Sequence, residues 1–588
     1  MTRGEKEKYD FADRQTDRQT DRQTDRQTDR QTGYPSIDKP WLKYYSKEAI
    51  EAEMPRCSMY EYIRRENENT QENVALNYFG KKITYRELFE RIERAAAAFQ
   101  KRGIENGDVV TIMSMHIPET IECIYALNMI GAVSNLIYMT LSQEEIIAQI
   151  TAVHSKIFIY LDEAEDRVYG IQDKLSGVTF IRMSSYDSMP YPMKIIGVGK
   201  KRYRQKRASI RFKDFVDTCK STKVDVAEYE KNKDAIIVYS SGTTGNPKGV
   251  LHTNDSMNAV AFQYKIAGMG IEKGSTFLNP IPPFFGFGIS IGIHTQLSLG
   301  TTGILHIVPE TNLVSRTIRR MKPDHVVLGP AFLDAMLDSI TGDMRWLQTL
   351  AGGGGGITEE QERKLNNKLH EHKSKLNYLT GYGMTEFGAT VCTNMNRCQK
   401  VTSLGIPFPK TNIKIIDAET HEELPYGKTG EMCFHTPNMM KNYLNNPEQT
   451  AKTIEIKDGM CWLHTGDLGH VDRDGFVYFD GRIKRIYITR AADGTVYKLF
   501  PERIENVLSG CHDVQQAAVV VEEDEIKLND AVAYVVLKKG STEKQLAIIR
   551  ETLAQKLPDY SVPETVMVIE SMPLTQSGKI DYCRLPRL

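Results

Sequence analysis

The chain has 588 residues, with 75 Lys and Arg against 76 Asp and Glu, so its formal net charge is −1. Its length leaves room for a large core, and its charge balance argues against a nucleic-acid-binding protein or an acidic tail. Nine cysteines are scattered without a C-x-x-C pair, which argues against a zinc site or disulfide framework and favours a reducing cytosol.

The N-terminus carries a short repeat. Residues 13–32 are five copies of Asp-Arg-Gln-Thr, a polar tract without an apolar stripe, so we expect residues 1–39 to form a disordered tail. The first 50 residues contain no apolar segment of the kind that signal peptides have. The sequence therefore predicts a cytoplasmic protein whose folded part begins near residue 40.

Helix and strand patterns alternate from residue 40 to about 230. Residues 85–99 have the apolar spacing of an amphipathic helix, and Val109–Met113 has the character of a buried strand. This alternation predicts an α/β fold with mostly parallel sheets flanked by helices. Residues 194–213 are strongly basic; a solvated linker is the favoured interpretation, and peripheral contact with an anionic membrane is the alternative if the substrate is a lipid.

Residues 274–309 contain no Asp, Glu, Lys or Arg, which is long enough to suggest a membrane span. The segment also contains Pro280, Pro282 and Pro283, several glycines and two histidines. We therefore predict a buried strand, loop and helix rather than a transmembrane helix.

The most informative segment is the run Y-S-S-G-T-T-G-N-P-K-G-V at residues 239–250, which follows the apolar residues 235–238. Its glycines let backbone N–H groups face an anion, and its hydroxyls and one lysine add donors and charge. It is not a Walker A loop, because Pro247 precedes Lys248 and Gly249 follows it. The alternative is an ordinary polar surface loop. The candidate phosphate-binding residues are Ser240, Ser241, Gly242, Thr243, Thr244, Gly245 and Lys248.

This run resembles the phosphate loop of the adenylate-forming (AMP-binding) superfamily, which includes acyl-CoA synthetases, firefly-type luciferases and peptide-synthetase adenylation domains. Four further family motifs follow in order, at residues 381–386 (G-Y-G-M-T-E), 465–467 (T-G-D), 481–484 (G-R-I-K) and 573–580 (P-L-T-Q-S-G-K-I). The resemblance extends from about residue 40 to the C-terminus, and is strongest to acyl-CoA synthetases such as long-chain fatty acid–CoA ligases.

The resemblance implies a role for each motif. Tyr382 would stack on adenine, and Asp467 would accept the ribose hydroxyls. Arg482 would reach ribose or phosphate. The other nucleotide-binding candidates are Gly354, Gly355, Gly383 and Met384.

The same resemblance implies the catalytic and metal residues. Lys579 would be the catalytic lysine, Thr385 would touch the α-phosphate and Glu386 would help to hold Mg²⁺ together with Thr243. A single carboxylate with phosphate oxygens and waters is ordinary magnesium chemistry.

The family's division of the chain places an adenylation domain at 40–480, a hinge at 481–484 centred on Lys484, and a small mobile α+β lid at 485–588. The loop of residues 488–500 would swing in after lid rotation and bring Gly494 near a thiol tunnel. This chain departs from the family there, with about five extra residues before Pro501, and Tyr582 stands where many relatives carry Arg.

The implied reaction has two steps. A carboxylic acid attacks ATP to give an acyl-adenylate and pyrophosphate, with Lys579 bridging the two anions; a thiol then displaces AMP after Lys579 has moved away. Free coenzyme A is the favoured acceptor. A stand-alone enzyme that loads a carrier protein is the first alternative, and a nucleotide-binding scaffold without activity is a weaker one.

The candidate acyl pocket comprises residues 282–288 and 351–356, with Phe284, Phe285, Gly353 and Gly381 as its named members. No acidic residue lies in these segments to pair with an α-amine, and a buried cation without a partner is costly, so an amino acid is disfavoured. A fatty acid is the first prediction and an aryl acid the second.

Overall fold

The computed structural model describes residues 32–191, 193, 209–219, 223–240, 248–306, 310–329, 332–354, 357, 359–457, 459–485, 487–491, 494–538, 543–575 and 579–586. We call the described part up to Lys484 the body and the part from Arg485 onward the lid.

The body strands are β1 (Val74–Tyr78), β2 (Lys81–Thr84), β3 (Val109–Met113), β4 (Val133–Leu136), β5 (Ile157–Leu161), β6 (Thr179–Met183), β7 (Ile210–Arg211), β8 (Asp234–Ser240), β9 (Lys248–Thr253), β10 (Thr276–Leu278), β11 (Thr302–Ile304), β12 (His325–Leu328), β13 (Thr349–Gly352), β14 (Leu379–Tyr382), β15 (Cys392–Thr393), β16 (Ile406–Pro407), β17 (Asn412–Ile416), β18 (Gly430–His435), β19 (Asn442–Tyr443), β20 (Ile454–Lys457), β21 (Met460–Val471) and β22 (Val477–Arg482).

The body helices are α1 (Pro35–Asp38), α2 (Lys47–Glu51), α3 (Met59–Glu66), α4 (Tyr85–Lys101), α5 (Pro118–Met129), α6 (Gln143–Ala152), α7 (Glu165–Val168), α8 (Phe212–Asp217), α9 (Asn254–Ile266), α10 (Gln296–Ser298), α11 (Thr311–Met321), α12 (Leu333–Ser339), α13 (Glu359–Glu371) and α14 (Pro447–Thr453), with a π-helical segment at Gly288–Thr295.

Two large sheets with mainly parallel strands form the centre of the body. Their strand orders are β16-β15-β14-β13-β12-β10-β11-β1-β2 and β19-β9-β8-β4-β3-β5-β6-β7. Antiparallel pairs occur towards the ends of these sheets, at β1–β2, β14–β15–β16, β8–β9 and β9–β19. Parallel strands need helical crossovers that cover both faces, which is why α5 is buried along its whole length.

A third body sheet, β17-β18-β21-β20 with β22 paired to β21, is antiparallel throughout. The alternating pattern of the first 230 residues did not predict it. It matters for the site because the register of β21 and β22 sets Asp467 opposite Arg482.

The lid is smaller and contains β23 (Tyr487–Arg490), β24 (Val496–Leu499), α15 (Pro501–Ser509), β25 (Val514–Asp524), β26 (Leu528–Leu537), α16 (Glu543–Lys556) and β27 (Thr565–Val568). Strands β25, β26 and β27 form a three-stranded sheet with a separate apolar cluster on each face. The predicted α/β class, with a large N-terminal domain and a small C-terminal one, is confirmed.

Several local predictions can be compared with the structure. The predicted amphipathic helix is α4, which Thr84 caps by accepting from the Glu87 N–H, and the strand Val109–Met113 is β3. Residues 274–306 form β10, the π-helical segment, α10 and β11, as expected of a buried segment. Among the described residues, no helix is both long and apolar enough to cross a membrane.

The predicted tail boundary needs correction. Residues 1–31 lie outside the described residues, but Pro35–Asp38 is helix α1, and the Asp38 carboxylate accepts hydrogen bonds from Thr32 and Tyr426. Folded chain therefore begins before residue 40, because a side chain distant in sequence anchors it. Most of the basic stretch, residues 194–208, lies outside the described residues.

Candidate functional site

Tyr382, Asp467 and Arg482 come together from two sheets. The Tyr382 hydroxyl at the end of β14 donates to Asp467 Oδ2 at 2.7 Å, and Arg482 Nε lies 3.2 Å from Asp467 Oδ1. The Tyr382 ring stacks against Phe434 at 5.9 Å with 25° between planes. Burial raises the pKa of Asp467, and the charge of Arg482 opposes that shift. A nearly buried carboxylate is thus held beside an aromatic ring by a phenol and a guanidinium.

Glu386 lies in the short 3₁₀ turn Thr385–Phe387 directly after β14. Its buried carboxylate accepts a 2.7 Å hydrogen bond from the Tyr443 hydroxyl, and its carbonyl accepts from the Met440 N–H. Burial raises the pKa of Glu386, while Lys248 and Lys579 lower it. Lys248 lies at the start of β9, with Nζ 5.1 Å from the centre of the Tyr443 ring.

His252 supports the same turn from β9. Its Nε2 is 2.8 Å from the Thr385 carbonyl oxygen, and its Nδ1 is 3.3 Å from Ser256 Oγ. Burial lowers the pKa of His252 to about 4, so the ring is neutral at pH 7 and donates from Nε2 to Thr385. This hydrogen bond fixes the backbone between Thr385 and Glu386.

Lys579 reaches the cleft from the lid. The residue is exposed to solvent, but protein surrounds it on most sides. This crowding and the charge of Arg482 lower the pKa of Lys579, against the charges of Asp467 and Glu386. The Lys579 side chain therefore remains accessible to a ligand.

Positive charge is in excess here. Lys248 has its pKa lowered by burial and by the charge of Lys484, so the predicted hinge lysine faces the phosphate-loop lysine. Arg482 and Lys579 complete four cations, which are near two carboxylates, Glu386 and Asp467. A neighbouring cation lowers the pKa of Lys248 and of Lys579, so this region has the excess of positive charge that suits an anionic ligand.

The predicted phosphate loop can be placed only at its ends. Ser240 and Lys248 are Cα partners in the antiparallel pair β8–β9, so the two ends of the predicted loop lie side by side. Ser241, Gly242, Thr243, Thr244 and Gly245 lie outside the described residues, as does Gly355.

Three glycines near the predicted pocket differ in what a side chain would contact at their positions. A Cβ on Gly383 would lie 1.7 Å from the Ala389 carbonyl oxygen, and one on Gly353 would lie 2.8 Å from that of Gly381. Close backbone packing therefore requires glycine at both positions. Gly354 has φ +86 and nothing within 4 Å of such an atom, so it borders open space, and Met384 next to the motif is half-buried.

The two phenylalanines of the predicted acyl pocket pack mainly with one another and with Tyr138. The ring centres are 5.1 Å apart for Tyr138 and Phe284, 5.2 Å for Tyr138 and Phe285, and 4.9 Å for the phenylalanine pair. Phe284 is buried and Phe285 is half-buried. The Tyr138 hydroxyl donates to the Tyr239 carbonyl oxygen at 2.6 Å, which joins this aromatic cluster to the strand that precedes the phosphate loop.

The segment after the predicted hinge is a β-hairpin and not the irregular loop expected for residues 488–500. Strands β23 and β24 pair in antiparallel register, and Gly494 occupies the exposed turn at φ +86. The Tyr497 ring stacks on Tyr560 at 4.2 Å, which attaches the hairpin to the rest of the lid.

Sequence reasoning missed Tyr443, Phe434, His252 and Glu431. Tyr443 and Phe434 fall outside the motifs, and only tertiary packing brings them to Glu386 and Tyr382. His252 could have been found from the sequence, because it lies only two residues after the run at 239–250 and on the strand that begins at Lys248. Glu431 Oε1 accepts from the Gly466 N–H at 2.9 Å and supports the T-G-D turn.

Glu431, Cys433 and His464 each place one candidate metal-ligand atom within 4.8 Å of the others. Two of these side chains already pair with each other: His464 Nδ1 lies 3.1 Å from Glu431 Oε2, and Glu431 raises the pKa of His464. Burial raises the pKa of the Cys433 thiol well above its usual range, which disfavours the thiolate that binds a metal. All nine cysteines are free.

Comparison with known proteins identifies the class. The AMP-binding enzyme family matches residues 63–444, and the AMP-binding enzyme C-terminal domain matches residues 503–579. The chain therefore belongs to the AMP-binding enzyme family. The predicted family is confirmed, as is the prediction of an enzyme of the acid–thiol ligase class.

Two relatives illustrate the range of names in this family. The chain is 27% identical over 571 residues to a long-chain-fatty-acid–CoA ligase of Bacillus subtilis (strain 168), covering 93% of this chain and 97% of that one. It is 29% identical over 522 residues to 4-coumarate–CoA ligase 4 of Arabidopsis thaliana, with 85% of each chain covered.

Solved structures share the fold. The anthranilate CoA ligase AuaEII in complex with anthranoyl-AMP has a TM-score of 0.78 at 20% identity, covering 90% of this chain and 97% of that chain. The amide bond synthetase McbA from Marinactinospora thermotolerans has a TM-score of 0.71 at 24% identity, covering 90% and 99%. Proteins with this fold thus have names that indicate different activities. The fold alone therefore does not decide which group accepts the acyl chain.

Proposed function

We propose that this enzyme activates a carboxylic acid with ATP to an acyl-adenylate and transfers the acyl group to coenzyme A, releasing AMP and pyrophosphate. A fatty acid is the proposed substrate class, and an aryl acid is the alternative. Names among the relatives include both classes.

The observation that carries the proposal is the set of charges around two carboxylates: Lys248 and Lys579 act on Glu386, and Arg482 and Lys579 act on Asp467. Lys484 lies close enough to Lys248 to lower its pKa. In the first step both the acid and the α-phosphate are anionic, so the protein must hold them together and offset their repulsion. Lys579, the cation that the lid contributes, is the group proposed to bridge the carboxylate and the phosphate.

The nucleotide would bind between the two sheets that supply Tyr382 and Asp467. The Tyr382 ring is the proposed adenine platform, and the Asp467 carboxylate, held by Arg482, is the proposed acceptor of the ribose hydroxyls. The body thus orients the base and sugar, while the cations surround the phosphates.

Mg²⁺ is the proposed metal. Glu386 fits it, because a hard cation prefers carboxylate oxygen and the Glu386 carboxylate is fixed by Tyr443. Thr243 is the second proposed contact. The metal would offset the charge of the leaving pyrophosphate.

For the acid, the aromatic cluster of Tyr138, Phe284 and Phe285 supplies an apolar boundary beside β8, and Gly354 borders open space. Phe285 is the member with solvent-accessible surface left for a ligand. An apolar chain or an aromatic ring would gain most from this surface.

The test is pyrophosphate release with ATP, Mg²⁺ and a panel of fatty, aryl and amino acids, each with and without coenzyme A. Wild type, Lys579→Ala and the exposed-lysine control Lys457→Ala are compared. We expect release with a fatty or aryl acid, multiple turnover only with coenzyme A, and a loss of about 100-fold or more in Lys579→Ala alone.

Three other outcomes would contradict parts of this proposal. One equivalent of pyrophosphate without further turnover on coenzyme A would indicate a different acceptor, such as a carrier protein. Release with amino acids alone would contradict the proposed substrate class. The absence of release with every acid would refute the proposed function.

A further inference from the structure

Arg485 lies at the centre of a dense network just after the predicted hinge. Its side chain is 18% exposed, and its guanidinium makes a two-pronged pair with Glu505, with Nη1 3.0 Å from Oε2 and Nη2 2.9 Å from Oε1. Nη2 also donates to the Val519 carbonyl oxygen at 2.8 Å, and Glu502 Oε1 lies 3.2 Å from Nη1. One side chain thus joins the hinge to helix α15 and strand β25.

The same guanidinium reaches the C-terminal segment. Its central carbon lies 4.3 Å from the centre of the Tyr582 ring, and Nη1 is 3.3 Å from the Tyr582 hydroxyl. Arg485 therefore pairs with Glu505 and stacks on the Tyr582 ring, a cation–π contact in a partly desolvated site.

Tyr582 is at the base of the loop that presents Lys579. Backbone pairing closes this loop: the Thr575 N–H donates to the Lys579 carbonyl at 2.7 Å, and the Asp581 N–H donates to the Pro573 carbonyl at 2.8 Å. The Lys579 N–H also donates to Thr575 Oγ1 at 3.2 Å. A group that fixes the residue after Asp581 therefore fixes where the closed loop points.

We propose that Arg485 is a positioning residue for Lys579, coupling the hinge to the catalytic-lysine loop through Glu505 and the Tyr582 ring. Since Arg485 is bound to the lid, it also ends the hinge, so rotation is confined to residues 481–484. Gly481, with φ +143, is the residue in that stretch best able to change its backbone angles. This inference rests on the proposed function for its activity readout.

The first experiment separates the two half-reactions. In Arg485→Met, we expect adenylate formation to slow about 30-fold or more, because small misplacements of a catalytic group are costly. Transfer from supplied acyl-adenylate to coenzyme A, which does not use Lys579, should stay within about two-fold. Arg503→Met is the matched control, because Arg503 is an exposed arginine on α15, the helix that carries Glu502 and Glu505.

Rescue tests the geometry. Tyr582→Arg in the Arg485→Met background returns a guanidinium within reach of Glu505, and we expect it to restore most of the lost adenylation rate. Arg485→Lys keeps the charge but loses the two-pronged pair with Glu505 and the stacking on Tyr582. Its adenylation rate should therefore lie between those of wild type and Arg485→Met. Arg485→Lys is also the variant to test if Arg485→Met does not fold.

The second readout does not depend on activity. Hydrogen exchange in a peptide spanning residues 573–586 should become at least ten-fold faster in Arg485→Met, while exchange in β26 stays unchanged. Equal loss of both half-reactions, unchanged exchange in 573–586, or no rescue by Tyr582→Arg would each overturn the proposal. A wild type inactive with every acid would refute the proposed function and leave the exchange experiment to decide this inference.

Discussion

The body and the lid each contain a half-buried arginine between carboxylates, and their surroundings differ. In the body, Arg91 on α4 pairs with Glu87 on the same helix and lies 3.2 Å from Glu122 on α5. In the lid, Arg485 pairs with Glu502 and Glu505. The chemistry is the same, but Arg91 joins two helices within one layer, whereas Arg485 joins a hinge to a catalytic loop.

Packing explains why these two arginines should behave differently. Arg91 borders the largest apolar cluster of the body, and α5 beneath it is buried from end to end. The lid is held by two small clusters on either side of a three-stranded sheet. Replacing Arg91 is therefore expected to lower the stability of the fold. Replacing Arg485 is expected to misplace Lys579.

The largest effect is expected from Arg91→Met. It leaves Glu122 buried without its cation, and breaking such a pair costs about 3–5 kcal/mol. The main urea transition should move to lower urea, while the exposed-residue control Arg316→Met should leave it in place. An unchanged midpoint would contradict the contrast between Arg91 and Arg485, because Arg91 would then contribute no more to stability than a surface arginine does.

The next effect is expected from Asp467→Asn, which tests the edge of the body that faces the nucleotide. The amide can still accept from Tyr382 but no longer pairs with Arg482, a loss of about 1.5–3 kcal/mol for a charged hydrogen bond. We expect kcat/KM for ATP to fall about 10- to 100-fold without a change in the melting temperature. Asp338→Asn, an exposed carboxylate, is the control; a fall in thermal stability alone would contradict a binding role.

A third prediction concerns pH and Glu119, beside the Arg91 network. Burial and the neighbouring Glu122 raise the pKa of Glu119 to about 8, and Ser188 donates to its Oε1 at 2.6 Å. A raised pKa means that the folded state holds the proton more tightly. This contribution to stability is full below about pH 4.5, falls as pH rises, and is gone above about pH 8.

Glu119→Gln should therefore flatten the decline of stability between pH 5 and 8, by at most about 1.4 kcal/mol per pH unit. Unfolding free energies measured across that range provide the comparison, with Glu90→Gln as the exposed control. A decline of equal slope in the variant would show that Glu119 does not hold the proton.

The smallest effect is expected from Tyr582→Phe. The ring that stacks on Arg485 remains and only a hydroxyl at 3.3 Å is lost, so the cost should be about 0.5–1 kcal/mol. Adenylate formation should slow less than about five-fold, against a larger loss in Tyr582→Leu. Equal losses in the two variants would mean that the hydroxyl and not the ring holds Arg485.

Much of the fold followed from local pattern. Helix α4 could be predicted because its apolar spacing, cap and length agree, and β3 because a short apolar run fits a strand. The hairpin β23–β24 could not be predicted, since the family's shorter loop was the only guide to that segment. The antiparallel third sheet was missed although most of its pairings join strands adjacent in the chain, as between Lys457 and Met460 or Val471 and Val477, because the alternating pattern that predicted the fold was taken from the first 230 residues.

The sequence by itself determined the family and the candidate residues, because glycine, hydroxyl and lysine spacings are local and chemically specific. Only the tertiary structure decided that Tyr443 holds Glu386, that His252 holds the Thr385 carbonyl, and that Arg485 reaches Tyr582. Those contacts depend on how sheets pack and on where a closed loop returns along the chain. Distances between side chains separated by tens or hundreds of residues are set by the whole core, and no local pattern records them.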